Sequence, residues 1–323
     1  MVKPKVYVTR LLLEDSLALL KERCEVEMNP GFKILPKKEF LEKVRDKDAI
    51  LVSHTPIDAE ICEAIKSHCK ILATNGVGYN NVDVEAATKC GIWVTNNPEA
   101  VKGSTADFTW ALILSTARRI VECDQFVRAG RKDWGPLNLL GAQVSEKTIG
   151  IIGAGRVGTA VGKRAVGFDV EILYTDVAPS ATFEAATNGR YVDMETLLKN
   201  ADFVTLHVPS LPSTHHLIGR EELNMMKPTA ILINVARGDV VDEAALLEAL
   251  RDGTIAGAGL DVFEREPEIT PGLAELPNVV LAPHVATATK YTRIKQGEAS
   301  ARNIFAALDG KIPANCLNPE AKG

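Results

Sequence analysis

Apolar residues in this chain arrive as short runs separated by segments with helical spacing, and that alternation predicts the fold class. In the first third, Lys5 to Val8, Ala49 to Val52, Ile71 to Ala73 and Ile92 to Thr95 read as strands. Helical patterns cover Glu14 to Glu22, Lys37 to Arg45, Ile57 to Ala64 and Val84 to Lys89. Such β-α alternation implies a small parallel sheet. Asn97-Pro98 marks a break. A long apolar helix is expected from about Thr105 to Val127, followed by a loop around Trp134.

From Thr148 the pattern restarts more strongly. Thr148–Ile152, Val170–Thr175, Phe203–Val208, Ala230–Val235, Ala256–Val262 and Val279–Leu281 are apolar and rich in β-branched residues. Continuous runs of this kind indicate strands buried on both faces. Helical patterns at Arg156–Ala165, Met194–Leu198, Arg220–Met226 and Glu243–Arg251 lie between them, which predicts a doubly wound sheet. A last helix, Lys290 to Leu308, is expected to return to the first domain. The expected architecture is therefore a domain of residues 101–287 inserted into a discontinuous one of residues 1–100 and 288–323.

Composition narrows the picture. At 323 residues, 46% hydrophobic and 24% charged, the chain can bury a large core unaided. A net charge of -5 and the lack of a basic tract argue against a nucleic-acid partner. No apolar run reaches the roughly 18 residues needed to span a bilayer. Cys24, Cys62, Cys69, Cys90, Cys123 and Cys316 are scattered, with no C-x-x-C pair. That pattern, with no signal-like N-terminus, predicts reduced thiols in a cytoplasmic protein and no structural metal.

The chemistry concentrates where the second strand series ends. Gly153-Ala154-Gly155-Arg156-Val157-Gly158 follows an apolar strand and opens a helix. Gly153 suits a tight turn, Gly155 a close backbone approach to a pyrophosphate, and Gly158 close helix–strand packing. The helix N-terminus offers unpaired N–H groups to phosphates. Asp176 closes the next strand, where a carboxylate accepts hydrogen bonds from adenosine ribose hydroxyls. It would repel a 2′-phosphate, and Val177-Ala178-Pro179 supply no cation to bind one, so NAD is expected over NADP. In open α/β sheets ligands bind beyond the carboxyl ends of the strands. Those ends carry His207, Arg237, Asp261 with Glu266 nearby, and His284, which points to a reacting anion or carbonyl.

Residues 150–158, the run from Asn234 to Glu243, the run from Gly259 to Pro267 and Ala282-Pro283-His284 resemble the signatures of D-isomer-specific 2-hydroxyacid dehydrogenases. Within that family the chain looks most similar to glyoxylate/hydroxypyruvate reductases, and the likeness covers nearly its whole length. The resemblance implies two Rossmann-like α/β domains with doubly wound parallel sheets, the inserted one binding NAD and the discontinuous one binding substrate. It implies reversible reduction of a small 2-oxo acid to the 2-hydroxy acid. His284 would be the general acid, a role that suits histidine's ordinary pKa. Glu266 would hold its tautomer, and Arg237 would grip the substrate carboxylate. The loop Asn75 to Asn80 would present the N–H groups of Val77 and Gly78 to that carboxylate, with Ser53 as a further pocket residue.

By the same resemblance, Thr105 lies near the nicotinamide ribose and phosphates. His207, Val208, Pro209 and Thr214 belong to the adenosine side; Val235, Ala236, Arg237, Asp261 and His284 to the nicotinamide side. Main-chain atoms of Arg156 and Val157 lie beside the phosphates. His54, His68, His215 and His216 receive no role, the last two being read as solvated loop residues. One departure stands out: family members often read His-Ile-Gly-Ser-Ala where this chain has His284-Val285-Ala286-Thr287-Ala288. The extra methyl of Ala286 would reshape the pocket beside the nicotinamide.

The long apolar helix predicts a homodimer, with Trp134 either reaching a neighbouring active site or buried in the core. Two other activities share the fold. A formate dehydrogenase would be expected to carry an N-terminal extension, and an NAD-sensing transcriptional corepressor long flexible tails, neither of which this sequence has.

Overall fold

The structure, a computed structural model, describes residues 2–31 and 33–321. The chain divides into two compact units. One holds the residues up to Val101 and those from Ala288 on; the other holds Lys102–Thr287.

The first unit is built on five parallel strands, β1 (Lys5–Val8), β2 (Glu25–Met28), β3 (Ala49–Val52), β4 (Ile71–Thr74) and β5 (Trp93–Thr95). Their order is β2-β1-β3-β4-β5. The first helices are α1 (Glu14–Arg23), α2 (Lys37–Val44), α3 (Ala59–Ile65) and α4 (Val84–Lys89). Asp58 and Asp83 cap α3 and α4 by accepting from the backbone N–H of Ile61 and Ala86. β3 and β4 are buried along their whole length, because successive side chains feed opposite layers. Ile50, Val52 and Leu72 pack with Phe40 and Ile61, while Leu51 and Ile71 pack with Leu17 and Leu20.

Helix α5 (Pro98–Ala117) begins in the first unit and continues into the second, where α6 (Ile120–Arg128) follows. The single helix expected over 105–127 is therefore two. Pro98, which lacks an N–H to satisfy, starts α5 earlier than the apolar pattern suggested. Arg119, at φ 53, breaks the run in the left-handed region. There follow β6 (Thr148–Ile152), α7 (Arg156–Ala165), β7 (Glu171–Thr175), α8 (Ala181–Thr187) and β8 (Arg190–Tyr191). Then come α9 (Met194–Asn200), β9 (Phe203–Leu206), α10 (Arg220–Met225), β10 (Ile231–Asn234), α11 (Glu243–Arg251), β11 (Gly257–Leu260) and β12 (Val279–Leu281). All seven strands are parallel, in the order β12-β11-β10-β9-β6-β7-β8. Strand order reverses at β6, which lies between β9 and β7, and such a switch point opens a crevice at the carboxyl ends. Elements β2, α8 and β8 lie outside the sequence expectation.

The last helix, α12 (Lys290–Leu308), belongs to the first unit and packs on α1, β4 and β5. Ala301, Ile304 and Ala307 enter the same layer as Leu17 and Leu20. Among the described residues no helix is long and apolar enough to cross a membrane.

Candidate active site

The glycine-rich turn at the switch point has three distinct geometries. Gly153 stands at φ 100, and a Cβ there would meet the His207 carbonyl oxygen at 2.7 Å. A Cβ on Gly158 would lie 1.9 Å from the Gly153 carbonyl oxygen, so α7 crosses β6 as closely as backbones allow. A Cβ on Gly155 would meet nothing within 4 Å. That open space sits at the N-cap of α7, where backbone N–H groups face an incoming anion. Asp176 closes β7, and its Oδ2 accepts from the Ala154 N–H at 2.7 Å while Oδ1 accepts from the Val177 N–H. The carboxylate is thereby fixed beside the turn. The residues present fit a dinucleotide: room at Gly155, a dipole end for phosphates and a carboxylate for a ribose.

Farther along the same sheet edge, Arg237 follows β10 in a turn made by Asn234, which is 1% exposed. Asn234 Nδ2 donates to the Arg237 carbonyl at 2.9 Å, and its Oδ1 accepts from the Ala236 N–H at 3.0 Å. Arg237 Nη1 donates to the Ala236 carbonyl at 2.6 Å. Burial pulls the guanidinium below its ordinary pKa, and the carboxylates of Glu266 and Asp239 oppose that shift. The next residue, Gly238, brings the Arg and Glu motifs together, since a Cβ on it would lie 1.9 Å from the Phe263 carbonyl carbon.

Glu266 Oε1 accepts from the Phe263 N–H at 3.1 Å, which anchors the carboxylate to its own turn. The other oxygen, Oε2, lies 2.8 Å from His284 Nδ1, and both side chains are about one-third exposed. A carboxylate only accepts, so Nδ1 carries the proton of this bond. His284 stands at φ 55. Asp261, fully buried at the end of β11, holds it there. The Asp261 carbonyl accepts from the His284 N–H at 2.8 Å, and its carboxylate oxygens accept from Val285 N–H at 2.7 Å and Ala286 N–H at 2.8 Å. Burial holds the Asp261 pKa above the ordinary carboxylate value, against the opposing pull of the two backbone N–H groups and His284.

Comparisons with known proteins give the family. The profile of the NAD-binding domain of D-isomer-specific 2-hydroxyacid dehydrogenases matches residues 110–286. The chain is 47% identical to the glyoxylate reductase of Thermococcus gammatolerans, covering 99% of this chain and 97% of the relative. It belongs to the D-isomer-specific 2-hydroxyacid dehydrogenase family. A glyoxylate reductase from Korarchaeum cryptofilum is likewise 47% identical, over 99% of this chain and 97% of the relative. Among solved structures, a Thermus thermophilus protein superposes with a TM-score of 0.91 at 42% identity, covering 97% of this chain and 99% of its own. A glyoxylate reductase from Paecilomyes thermophila gives 0.87 at 31% identity, with 98% and 99% covered. The chain is thus an NAD-binding oxidoreductase acting on a CH–OH group, in a fold of two parallel α/β sheets.

The remaining expected site residues of this dehydrogenase fall as follows. In the first unit, the Gly76 and Val77 carbonyls accept from Asn97 N–H and Asn96 Nδ2, each at 2.8 Å. The Val77 and Gly78 N–H groups donate no hydrogen bond among the described residues. Ser53 follows β3, its N–H bonded to Thr9 Oγ1. In the second unit, Thr105 and Val235 are buried, and Val157, Val208 and Ala236 half-buried. Arg156 opens α7, exposed like Pro209. The Thr214 hydroxyl closes its own loop, donating to the Pro209 carbonyl at 2.6 Å and accepting from Leu211 N–H.

His207 Nε2 lies 3.0 Å from Thr205 Oγ1, Nδ1 is buried without a hydrogen-bond partner, and burial lowers the imidazole pKa to about 3. Trp134 is 73% exposed, so the buried-core alternative does not hold within this chain. His216, read as solvated, is half-buried and lies 3.2 Å from Glu264. Asn234 and Gly238 were missed by sequence reasoning, although both lie inside the motif that carries Arg237.

Proposed function

We propose that this chain is an NAD-preferring D-2-hydroxyacid dehydrogenase that reduces glyoxylate, hydroxypyruvate or a similarly small 2-oxo acid. The observation that carries the reading is the Glu266–His284 pair at 2.8 Å, set in the same strand-end row as Arg237 and the dinucleotide turn. Reduction of the ketone requires a hydride at C2 and a proton on its oxygen. The bound dinucleotide supplies the hydride. With Nδ1 committed to Glu266, the His284 Nε2 is the nitrogen that delivers the proton, and in the reverse reaction it takes one back. The Arg237 guanidinium binds the substrate carboxylate and polarises the ketone. In the first unit, the Val77 and Gly78 N–H groups form an anion-binding turn suited to a carboxylate. His284→Ala is expected to lose about 10²–10⁴ of kcat, the usual worth of a positioned acid. Arg237→Ala should lose both binding and rate. Wild-type kinetics in either variant would overturn these roles, and no NADH oxidation with any of glyoxylate, hydroxypyruvate, pyruvate or phenylpyruvate would overturn the activity.

Cofactor preference is a local matter, because the same fold at 32% identity serves an NADPH-dependent glyoxylate/hydroxypyruvate reductase from Sinorhizobium meliloti. Here Asp176 supplies a fixed carboxylate where a 2′-phosphate would have to sit. Higher kcat/KM with NADPH than with NADH would refute the preference. The working unit is a homodimer. The α6 helix has no buried residue, and Val127, Trp134, Leu137 and Leu140 are 58–78% exposed, an apolar arm suited to a second copy. A monomer mass by light scattering at micromolar concentration would refute it.

A further inference from the structure

We infer that His215, His216 and Glu264 form a binding site for one divalent transition-metal ion, with Zn²⁺ the best fit. The two histidines lie in the loop after β9 and Glu264 in the turn after β11, yet one donor atom from each lies within 4.8 Å of the others. His216 Nε2 and Glu264 Oε1 are 3.2 Å apart. The two imidazoles stack with ring centroids 4.0 Å apart and planes 28° apart. Donors at ~2.0–2.1 Å from a tetrahedral Zn²⁺ stand ~3.3 Å from each other. The His216–Glu264 separation therefore already matches one edge of that coordination shell. His215 is exposed and closes the remaining gap by turning its ring.

Two of the three ligands are delivered by fixed backbone. The His216 N–H donates to the Asp239 carbonyl at 2.8 Å. The Glu264 N–H donates to Oε1 of buried Glu243 at 2.6 Å, and Gly238 packs directly beneath Phe263 and Glu264. A His216–Glu264 ion pair alone would account for one contact but not for a second imidazole stacked on the first. Two imidazole nitrogens and one carboxylate oxygen, on a side open to water for a fourth ligand, suit Zn²⁺, Co²⁺ or Ni²⁺ and not the oxygen-seeking Mg²⁺ or Ca²⁺. An ion there would tie the loop carrying Thr214 to the turn carrying Glu266. The site does not depend on the reaction proposed above.

The test is equilibrium dialysis of untagged, EDTA-treated protein against Zn²⁺, with bound metal counted by elemental analysis and melting followed in parallel. One equivalent per chain and a raised Tm are expected for the wild type. His215→Ala and Glu264→Gln should each weaken Zn²⁺ binding by more than about 100-fold, beyond the 10–100-fold that an outer-shell partner is worth. Both should keep the wild-type circular dichroism and metal-free Tm. Excess Mg²⁺ should not compete. No bound Zn²⁺ in the wild type at micromolar concentration would overturn the inference, and so would a full equivalent retained by the double variant His215→Ala/Glu264→Gln.

Discussion

His207 offers a quantitative test of how the dinucleotide edge is built. Its Nδ1 is buried with no acceptor in reach, so an imidazolium there would lack a partner for its second N–H. Burial accordingly lowers its pKa from 6.5 to about 3. The unfolded chain takes up a proton at the ordinary value, and the folded chain does so only near the lowered one. Between those two values the unfolded state binds more protons, so stability falls as pH falls through the window. At pH 5 the loss comes to about 2 kcal/mol, fixed almost wholly by the unfolded pKa because the folded ring is still neutral there. His207→Gln keeps a donor for Thr205 and removes the titration. Thermal melts of wild type and variant at pH 7 and pH 5, without cofactor, isolate this one group, since every other titration is shared. A unit of this size shifts ~2–4 °C per kcal/mol, so the wild type should lose ~4–8 °C more than the variant between the two pH values. Equal losses in the two proteins would refute the buried neutral imidazole.

Two further comparisons test the site. Gly155→Ala places a methyl in open space and should melt like the wild type yet bind NADH more weakly in a fluorescence titration, whereas Gly158→Ala drives a methyl into the Gly153 carbonyl and should cost about 1–3 kcal/mol of stability as well. Unchanged NADH affinity in Gly155→Ala would place the pyrophosphate elsewhere. Asp261→Ala leaves the half-buried Val285 N–H and the buried Ala286 N–H without their acceptor, at about 1–3 kcal/mol for the buried one, and should cut kcat by up to about 10²-fold as His284 shifts. A lowered Tm with wild-type kcat would show that His284 is held by other contacts.

What could be read from the sequence follows burial closely. The central strands β3, β4, β6, β9 and β10 are covered on both faces, so their apolar runs announce them. The edge strands do not: β2 alternates Glu with Val and Met, and β8 is only Arg190–Tyr191. Helix α8 buries little beyond Phe183 and Thr187, too few positions to set a period, although Ser180 caps it in the usual way. The break between α5 and α6 rests on one left-handed arginine, a conformation no local pattern demanded. At the site, side-chain identity marked Arg237, Glu266 and His284. The contacts that aim them were not legible, because the Asp261 carboxylate reaches backbone N–H groups more than twenty positions away and Gly238 abuts a turn of similar separation.

The return of the chain to the first unit carries a consequence for biosynthesis. β5 is completed from the far side of the sequence: the Leu317 N–H donates to the Val94 carbonyl, and the Asn318 side chain accepts from the Val94 N–H and donates to the Ile92 carbonyl. α12 covers the face on which Leu17 and Leu20 sit. A growing polypeptide thus makes residues 1–101 first but must hold them unfinished, with an uncapped strand and a bare apolar layer, while residues 102–287 emerge as one contiguous stretch able to close upon themselves. The unit begun before residues 102–287 is completed after them, and in the interval its exposed surface is what a chaperone would meet.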